Sequence, residues 1–196
     1  MYERKDRLYR NAKAQGLRSR AAFKLETLDR GLLGRGHRVL DLGCWPGGWL
    51  QVASRRVGAT GRVVGVDTRP MTPLDLSNVR VVQGDVCLDE VVEEALRELG
   101  GGADVVLSDM SPNISGVRDR DEARASELVR RALAVAVRLL RPGGSFVCKI
   151  FMNSDYAELR DSVARRFEHV ATTRSEATRK GSAELYLVAR GFRPAM

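Results

Sequence analysis

Short apolar runs alternating with stretches of helical periodicity constrain this chain more than any other feature. The runs cover residues 38–42, 62–66, 79–83, 104–108, 145–150 and 185–189, with a weaker one at 169–173. Each is the length of a buried strand, and turn residues bound them. Between them lie helical segments. Ser19 reads as the N-cap of a helix carrying Phe23, Lys24 and Leu25. The stretch 121–140 is amphipathic and ends at Arg141-Pro142-Gly143-Gly144. Strand, helix, strand in this order predicts an α/β fold with a mainly parallel sheet covered on both faces. With 196 residues, 43% of them apolar, the chain has material for one core. The expected organisation is a basic N-terminal arm, 1–18, followed by a single domain, 19–196.

The formal charge is +8, and its placement says more than its size. Arg4, Lys5, Arg7, Arg10, Lys13, Arg18 and Arg20 face only Glu3 and Asp6 within the first twenty residues. Such an arm is either a solvated tail or a grip for phosphates, and the second reading suits a polyanionic partner. The arm lacks the apolar stretch of a signal peptide, and no window approaches the roughly 20 apolar residues of a membrane span. A cytoplasmic protein without membrane association is expected. Cys44, Cys87 and Cys148 are odd in number and widely spaced, which predicts neither a disulfide framework nor a zinc site. They read as small buried hydrophobes, and no metal is expected. His37 and His169 read as surface or strand-edge residues. Arg165, Arg166, Arg174, Arg179 and Lys180 form either a solvated face or a second phosphate contact.

In an open parallel sheet, ligands bind beyond the carboxyl ends of the strands. The first strand runs into Gly43-Cys44-Trp45-Pro46-Gly47-Gly48-Trp49 and then a helix. The spacing of Gly43, Gly47 and Gly48 is not the G-x-G-x-x-G of a dinucleotide cradle, so a different nucleotide is implied. Asp67 ends the second strand, where a carboxylate can accept from two ribose hydroxyls. Asp85 follows the third and Asp109 the fourth. An aspartate after a strand is often a turn former. Four successive strand ends carrying a glycine loop and three carboxylates together outline a ligand with ribose, base and amino-acid parts.

These segments resemble the class I methyltransferase fold, and more narrowly the RrmJ/FtsJ family of ribosomal RNA 2′-O-ribose methyltransferases. The resemblance rests on Ser19-Arg20-Ala21-Ala22-Phe23-Lys24-Leu25, Asp41-Leu42-Gly43 with Pro46-Gly47-Gly48-Trp49, and Gln83-Gly84-Asp85. It continues through Ser108-Asp109-Met110-Ser111-Pro112-Asn113, Pro142-Gly143-Gly144-Ser145-Phe146-Val147 before Lys149, and Glu184 before Tyr186. It implies a Rossmann-like, seven-stranded sheet with an antiparallel last strand and S-adenosyl-L-methionine as cofactor. It further implies a catalytic set of Lys24, Asp109, Lys149 and Glu184. Its cofactor contacts fall on Gly47, Trp49, Asp67, Asp85 and Asp109, with Gly43 and Gly48 in the same loop. The implied substrate is a uridine of 23S ribosomal RNA in the large subunit, and the protein is expected to act as a monomer. Relatives act on transfer RNA or messenger caps. Trp45 departs from the small residue expected there, and Trp49 is equally readable as plain core.

The chemistry supports the same residues. Transfer to a ribose hydroxyl needs alignment and removal of a proton from a weak acid. Lysine can be a base where arginine cannot. Only five of the 33 basic residues are lysines, yet Lys24 and Lys149 hold both proposed positions. If the last strand runs antiparallel, Glu184 at its start joins Asp109 and Lys149 at one sheet edge. The set is either catalytic or a salt-bridged cluster joining strands. Adenine N-methylation would want Pro-Pro-aromatic after Asp109, and carbon-5 cytosine methylation a Pro-Cys dipeptide. Neither is present. An inactive RNA-binding assembly factor and a nicotinamide enzyme are the rival classes.

Overall fold

The computed structural model describes residues 10–175 and 183–194. Residues 10–14 are helical, and among the described residues five further helices and seven strands follow. They are α1 (Ala21–Asp29), β1 (Arg38–Leu42), α2 (Gly48–Val57), β2 (Arg62–Asp67), β3 (Val79–Gln83), α3 (Asp89–Leu99), β4 (Ala103–Ser108), α4 (Arg118–Leu139), β5 (Leu140–Phe151), α5 (Tyr156–Ala164), β6 (Phe167–Thr173) and β7 (Glu184–Phe192). The strands form one sheet in the order β3-β2-β1-β4-β5-β7-β6. Chain direction reverses only at β7, which pairs antiparallel with both β5 and β6. The other pairings are parallel, so the expected seven-stranded sheet is present.

Alternation along the strands builds two cores. Leu40, Leu42, Val64, Val66, Val106 and Phe146 face α3, α4 and α5. Val39, Val63, Val105, Leu107, Val147 and Tyr186 face α1 and α2. Successive residues point to opposite sides, so a central strand covered on both faces is apolar throughout. All six residues of β4 are buried accordingly.

Local chemistry differs from the sequence expectation in three places. Ser19 does not cap α1: the helix starts after Arg20 without a side-chain cap, and the Ser19 hydroxyl is buried against Gly48 instead. The long helix spans Arg118–Leu139 and passes into β5 at Leu140 with no intervening loop, so Pro142 and Gly143 lie within the strand. Cys44 and Cys148 are buried, but Cys87 is exposed. The first nine residues of the basic arm, and Arg179 and Lys180, lie outside the described residues. From residue 10 onward the arm is packed on the domain, with Ala12 and Leu17 buried beside α2. No helix among the described residues is long and apolar enough to cross a membrane.

Candidate active site

The carboxyl ends of β1, β2, β3 and β4 open onto a cleft of about 430 Å³. Gly43, Asp67, Asp85 and Asp109, all singled out from the sequence, line it. The glycine loop is held from three sides. Gly43 has φ 77°, and a Cβ there would sit 2.8 Å from Met110 Cγ, so the β1 and β4 loops touch only because this residue is glycine. Arg18 donates to the carbonyls of Thr72 (2.5 Å) and Pro73 (2.6 Å) and reaches Pro46 O at 3.5 Å. This arm residue is therefore a strut beneath the loop rather than a free cation. Asp67 accepts from the Trp45 and Arg69 amides at 2.8 and 2.9 Å. Each of its oxygens retains a lone pair toward the cleft. Asp85 Oδ1 accepts from the Cys87 amide at 2.8 Å.

Gly47, Gly48 and Trp49 are arranged differently: they are buried beside the cleft and shape it without lining it. Gly47 has φ 107° and sits under Met71, Leu74 and Arg18. Gly48 lets α2 approach Ser19. Trp49 is core, its Nε1 donating to Ala21 O at 2.7 Å and its ring 6.1 Å from that of Tyr186. Trp45, the departure from the resembled pattern, lies half-exposed on the cleft wall with the Arg69 guanidinium 4.9 Å over its ring. Beyond the cleft lining, Asp121 accepts from Ser115 N, Ser115 Oγ and Gly116 N, which orders the loop after Asp109. Those bonds hold its carboxyl below the usual range.

Lys24, Asp109, Lys149 and Glu184 converge at the β4, β5 and β7 edge. Ser108 pairs with Cys148 on parallel strands, and Lys149 with Tyr186 and Phe151 with Glu184 on antiparallel ones. Lys149 Nζ donates to Asp109 O at 2.6 Å and lies 3.2 Å from its Oδ1. Lys24 Nζ lies 2.7 Å from Glu184 Oε1. Among the four, Lys149 is buried and the others keep a little exposure.

A fifth residue joins the two pairs. The Tyr186 hydroxyl donates to Asp109 Oδ1 at 2.8 Å, accepts from Lys24 Nζ at 3.1 Å, and lies 3.4 Å from Glu184 Oε1. Burial, followed by the charges of Asp109 and Glu184, pushes its pKa far above the ordinary phenol value, so it stays a protonated donor. Sequence reasoning quoted this residue but gave it no role. Its strand alternation marks it as core, which its ring is.

Asp41 lies behind the cleft, fully buried, with neither carboxyl oxygen bonded to a protein group. Burial first, then Asp109 and Asp67, raises its pKa well above the usual carboxylate range. The site therefore favours its neutral form. Cys148 points to the α4 side, opposite Lys149, and burial pushes its thiol up to about 12, so it offers no nucleophile.

The geometry can be set beside known proteins. The FtsJ-like methyltransferase family matches residues 17–192. "Ribosomal RNA large subunit methyltransferase E" of Halorubrum lacusprofundi is 46% identical over 195 residues, 97% of this chain and 72% of the relative. The protein of the same name from Sorangium cellulosum is 47% identical over 189 residues, covering 95% and 88%. A crystal structure of a ribosomal RNA methyltransferase from Plasmodium falciparum superposes with a TM-score of 0.80 at 29% identity, covering 91% of this chain and all of that one. The fold alone is shared with the MycE methyltransferase solved with Mg and SAH, at TM-score 0.58 and 19% identity over 87% of this chain and 47% of that one. With the family matched from just before α1 to the end of β7, this chain belongs to the FtsJ-like methyltransferases.

Proposed function

We propose that the protein transfers a methyl group from S-adenosyl-L-methionine to a ribose 2′-hydroxyl of large-subunit ribosomal RNA, on the uridine that the family resemblance implies. The observation that carries this reading is the buried Lys149 amine beside Asp109 at the mouth of a cleft edged by Asp67 and Asp85. The names of the similar proteins supply the RNA class. The five side chains of the cluster form the site within a single chain, so a monomer suffices for this reading, and a cytoplasmic place of action goes with the ribosomal RNA substrate it assigns.

The cleft suits the cofactor. Its glycine floor admits no Cβ at Gly43, and Asp67 keeps acceptor capacity for ribose hydroxyls. Asp85 stands where a base would lie, and Asp109 lies between cleft and lysine, able to accept from an ammonium. Gly47, Gly48 and Trp49 hold the loop in shape. When bound, S-adenosylmethionine supplies an activated sulfonium methyl, so the protein need only align the acceptor oxygen and take its proton.

Lys149, in its unprotonated form, takes the 2′-hydroxyl proton at Nζ. Asp109 orients it through the 2.6 Å carbonyl contact and the 3.2 Å carboxylate contact. Lys24 binds the ribose and steadies negative charge on its oxygen, and Glu184 aims Lys24. Tyr186 links the two ion pairs and fixes their spacing. A purely structural cluster would gain little from charges so shielded from water, because desolvation offsets most of a buried ion pair.

The test is to incubate the protein with large ribosomal subunits and methyl-labelled cofactor, digest the RNA, and locate the label. Label on 2′-O-methyl nucleosides supports the reading, and label on a base or absence of transfer overturns it. An inactive assembly factor would bind RNA without any incorporation.

A further inference from the structure

The end of the sheet opposite the catalytic cleft carries charge that methyl transfer does not use. Arg38 opens β1 and Arg62 opens β2, and they are direct register partners on adjacent parallel strands. Neighbouring strands lie about 4.8 Å apart. Like charges placed side by side across strands repel and cost stability. Among the described residues neither guanidinium has a carboxylate partner. Both are exposed.

A cleft of about 530 Å³ opens at this edge, with Arg38, Arg62 and Arg141 around it. Asp104 is the acid among its lining residues, and both its oxygens are engaged. Oδ2 accepts from the Arg38 backbone amide at 2.7 Å, and Oδ1 pairs with Arg141. Its oxygens thus face the Arg38 backbone amide and Arg141, and among the described residues the Arg38 and Arg62 guanidinium groups are left without an ion-pair partner. The glycine turn at residues 100–102 keeps the mouth open beside these guanidinium groups. A Cβ at Gly101 would sit 3.0 Å from Arg38 Nη1.

We propose that this basic cleft is a second nucleic-acid contact, which binds the phosphodiester backbone of folded RNA away from the strand that enters the catalytic cleft. The proposal rests on the RNA-methylating reading above. Guanidinium forks match phosphate oxygens two at a time, and paired unneutralised arginines in a concavity suit a polyanion. A protein partner would want an apolar centre to its interface, whereas here Thr60, Ser77, Asn78 and glycines make up most of the remaining lining, and its apolar members are the small Ala59 and the fully buried Leu99. The five residues of β1 separate the two clefts by roughly 15 Å or more at about 3.3 Å per residue. A short flexible strand seated at Lys149 would have to be ordered along the surface between the clefts at a cost in conformational entropy, whereas a folded RNA already presents phosphates to a small enzyme from more than one side.

The test uses the full chain with Arg38→Gln and Arg62→Gln combined, and three probes: a folded large-subunit ribosomal RNA transcript, a 12-nucleotide single-stranded RNA, and inorganic pyrophosphate. The double variant should bind the transcript about 5- to 10-fold more weakly at physiological salt. The slope of log affinity against log salt should shrink by about 2, one step per lost phosphate contact. Binding of the 12-mer and of cofactor should not change, and Arg38→Lys with Arg62→Lys should recover most of the loss. If the double variant does not fold, Arg62→Gln alone should remove about one unit of slope. Unchanged transcript binding overturns the proposal, as does equal weakening of transcript and 12-mer. Loss of pyrophosphate binding with transcript binding intact would instead mark a site for a small free anion, and also overturns it. A failure of the methylation reading is separately visible, as wild-type protein that binds RNA and adds no ribose methyl.

Discussion

Replacing Tyr186 by Phe removes one oxygen from the middle of the site and leaves the packing of the ring alone. The ring is fully buried against Trp49, and its volume is retained. The lost hydroxyl donates 2.8 Å to Asp109 Oδ1 and accepts 3.1 Å from Lys24 Nζ. Asp109 then keeps Lys149, and Lys24 keeps Glu184 and its place 5.7 Å over the ring. Hydrogen bonds to charged groups are each worth about 1.5–3 kcal/mol. Phe also removes the cost of burying a phenol hydroxyl, so global stability should move by less than about 1 kcal/mol. The loss falls on alignment. If one such bond's worth of positioning, about 1.5–3 kcal/mol, is missing at the transition state, kcat falls about 10- to 150-fold. KM for cofactor and RNA should move less than about threefold, because the hydroxyl lies outside the cofactor cleft. Steady-state methyl transfer to large subunits, alongside thermal unfolding, reads both quantities. Wild-type kcat in a normally folded variant, or a change confined to KM, would refute the view that Tyr186 spaces the two lysines.

Three further outcomes concern groups around the cleft. Asp41→Asn should flatten the pH dependence of stability. The folded carboxyl's pKa is raised, so the folded state holds one more proton than the unfolded state from about pH 4 up to the folded pKa. Wild-type stability falls as pH rises through that window, by at most about 1.4 kcal/mol per pH unit. Denaturant melts from pH 5 to 8 that run parallel for the two proteins would contradict this. Gly65→Ala places a Cβ 2.7 Å from Cys44 Sγ and 2.9 Å from Leu50 Cδ2, an overpacking worth about 1–3 kcal/mol. Adding Cys44→Ala should restore part of the loss, and equal melting of single and double variants would exclude that contact as the cause. Cys87 is exposed on the cleft wall while Cys44 and Cys148 are buried, so one thiol per chain should react in the native state. Saturating S-adenosylhomocysteine should slow that reaction, and an unaltered rate would place the cofactor elsewhere.

Much of the fold was legible because the central strands are covered on both faces. Residues 103–108 must then be apolar through and through, and a run of that length between amphipathic stretches has few other readings. The site was legible for a related reason: sheet topology brings strand ends to one edge, so Asp109, Lys149 and Glu184 can be placed from strand direction alone. What escaped was decided by contacts between distant segments. Ser19 carries the signature of a helix cap, but packing α1 on α2 turns its hydroxyl toward Gly48. Arg18 reads as one more cation of a basic arm until the carbonyls of Thr72 and Pro73 are brought to it. Tyr186 obeys the alternation of a core residue, and only its hydroxyl, at the end of a buried ring, belongs to the chemistry. Cys87 was expected among the buried thiols, but its place after β3 faces the cleft.

The claim on which the rest depends is that the Lys149 amine removes the ribose proton. Single-turnover methyl transfer to large ribosomal subunits, measured from pH 6 to 10 with wild type and Lys149→Met, tests it most directly. A rate lower by about 10²–10⁴ in the variant is expected, with cofactor and RNA binding retained and the rising limb of the wild-type pH profile gone. A variant that folds, binds both partners and transfers methyl at the wild-type rate with the same pH profile would contradict it.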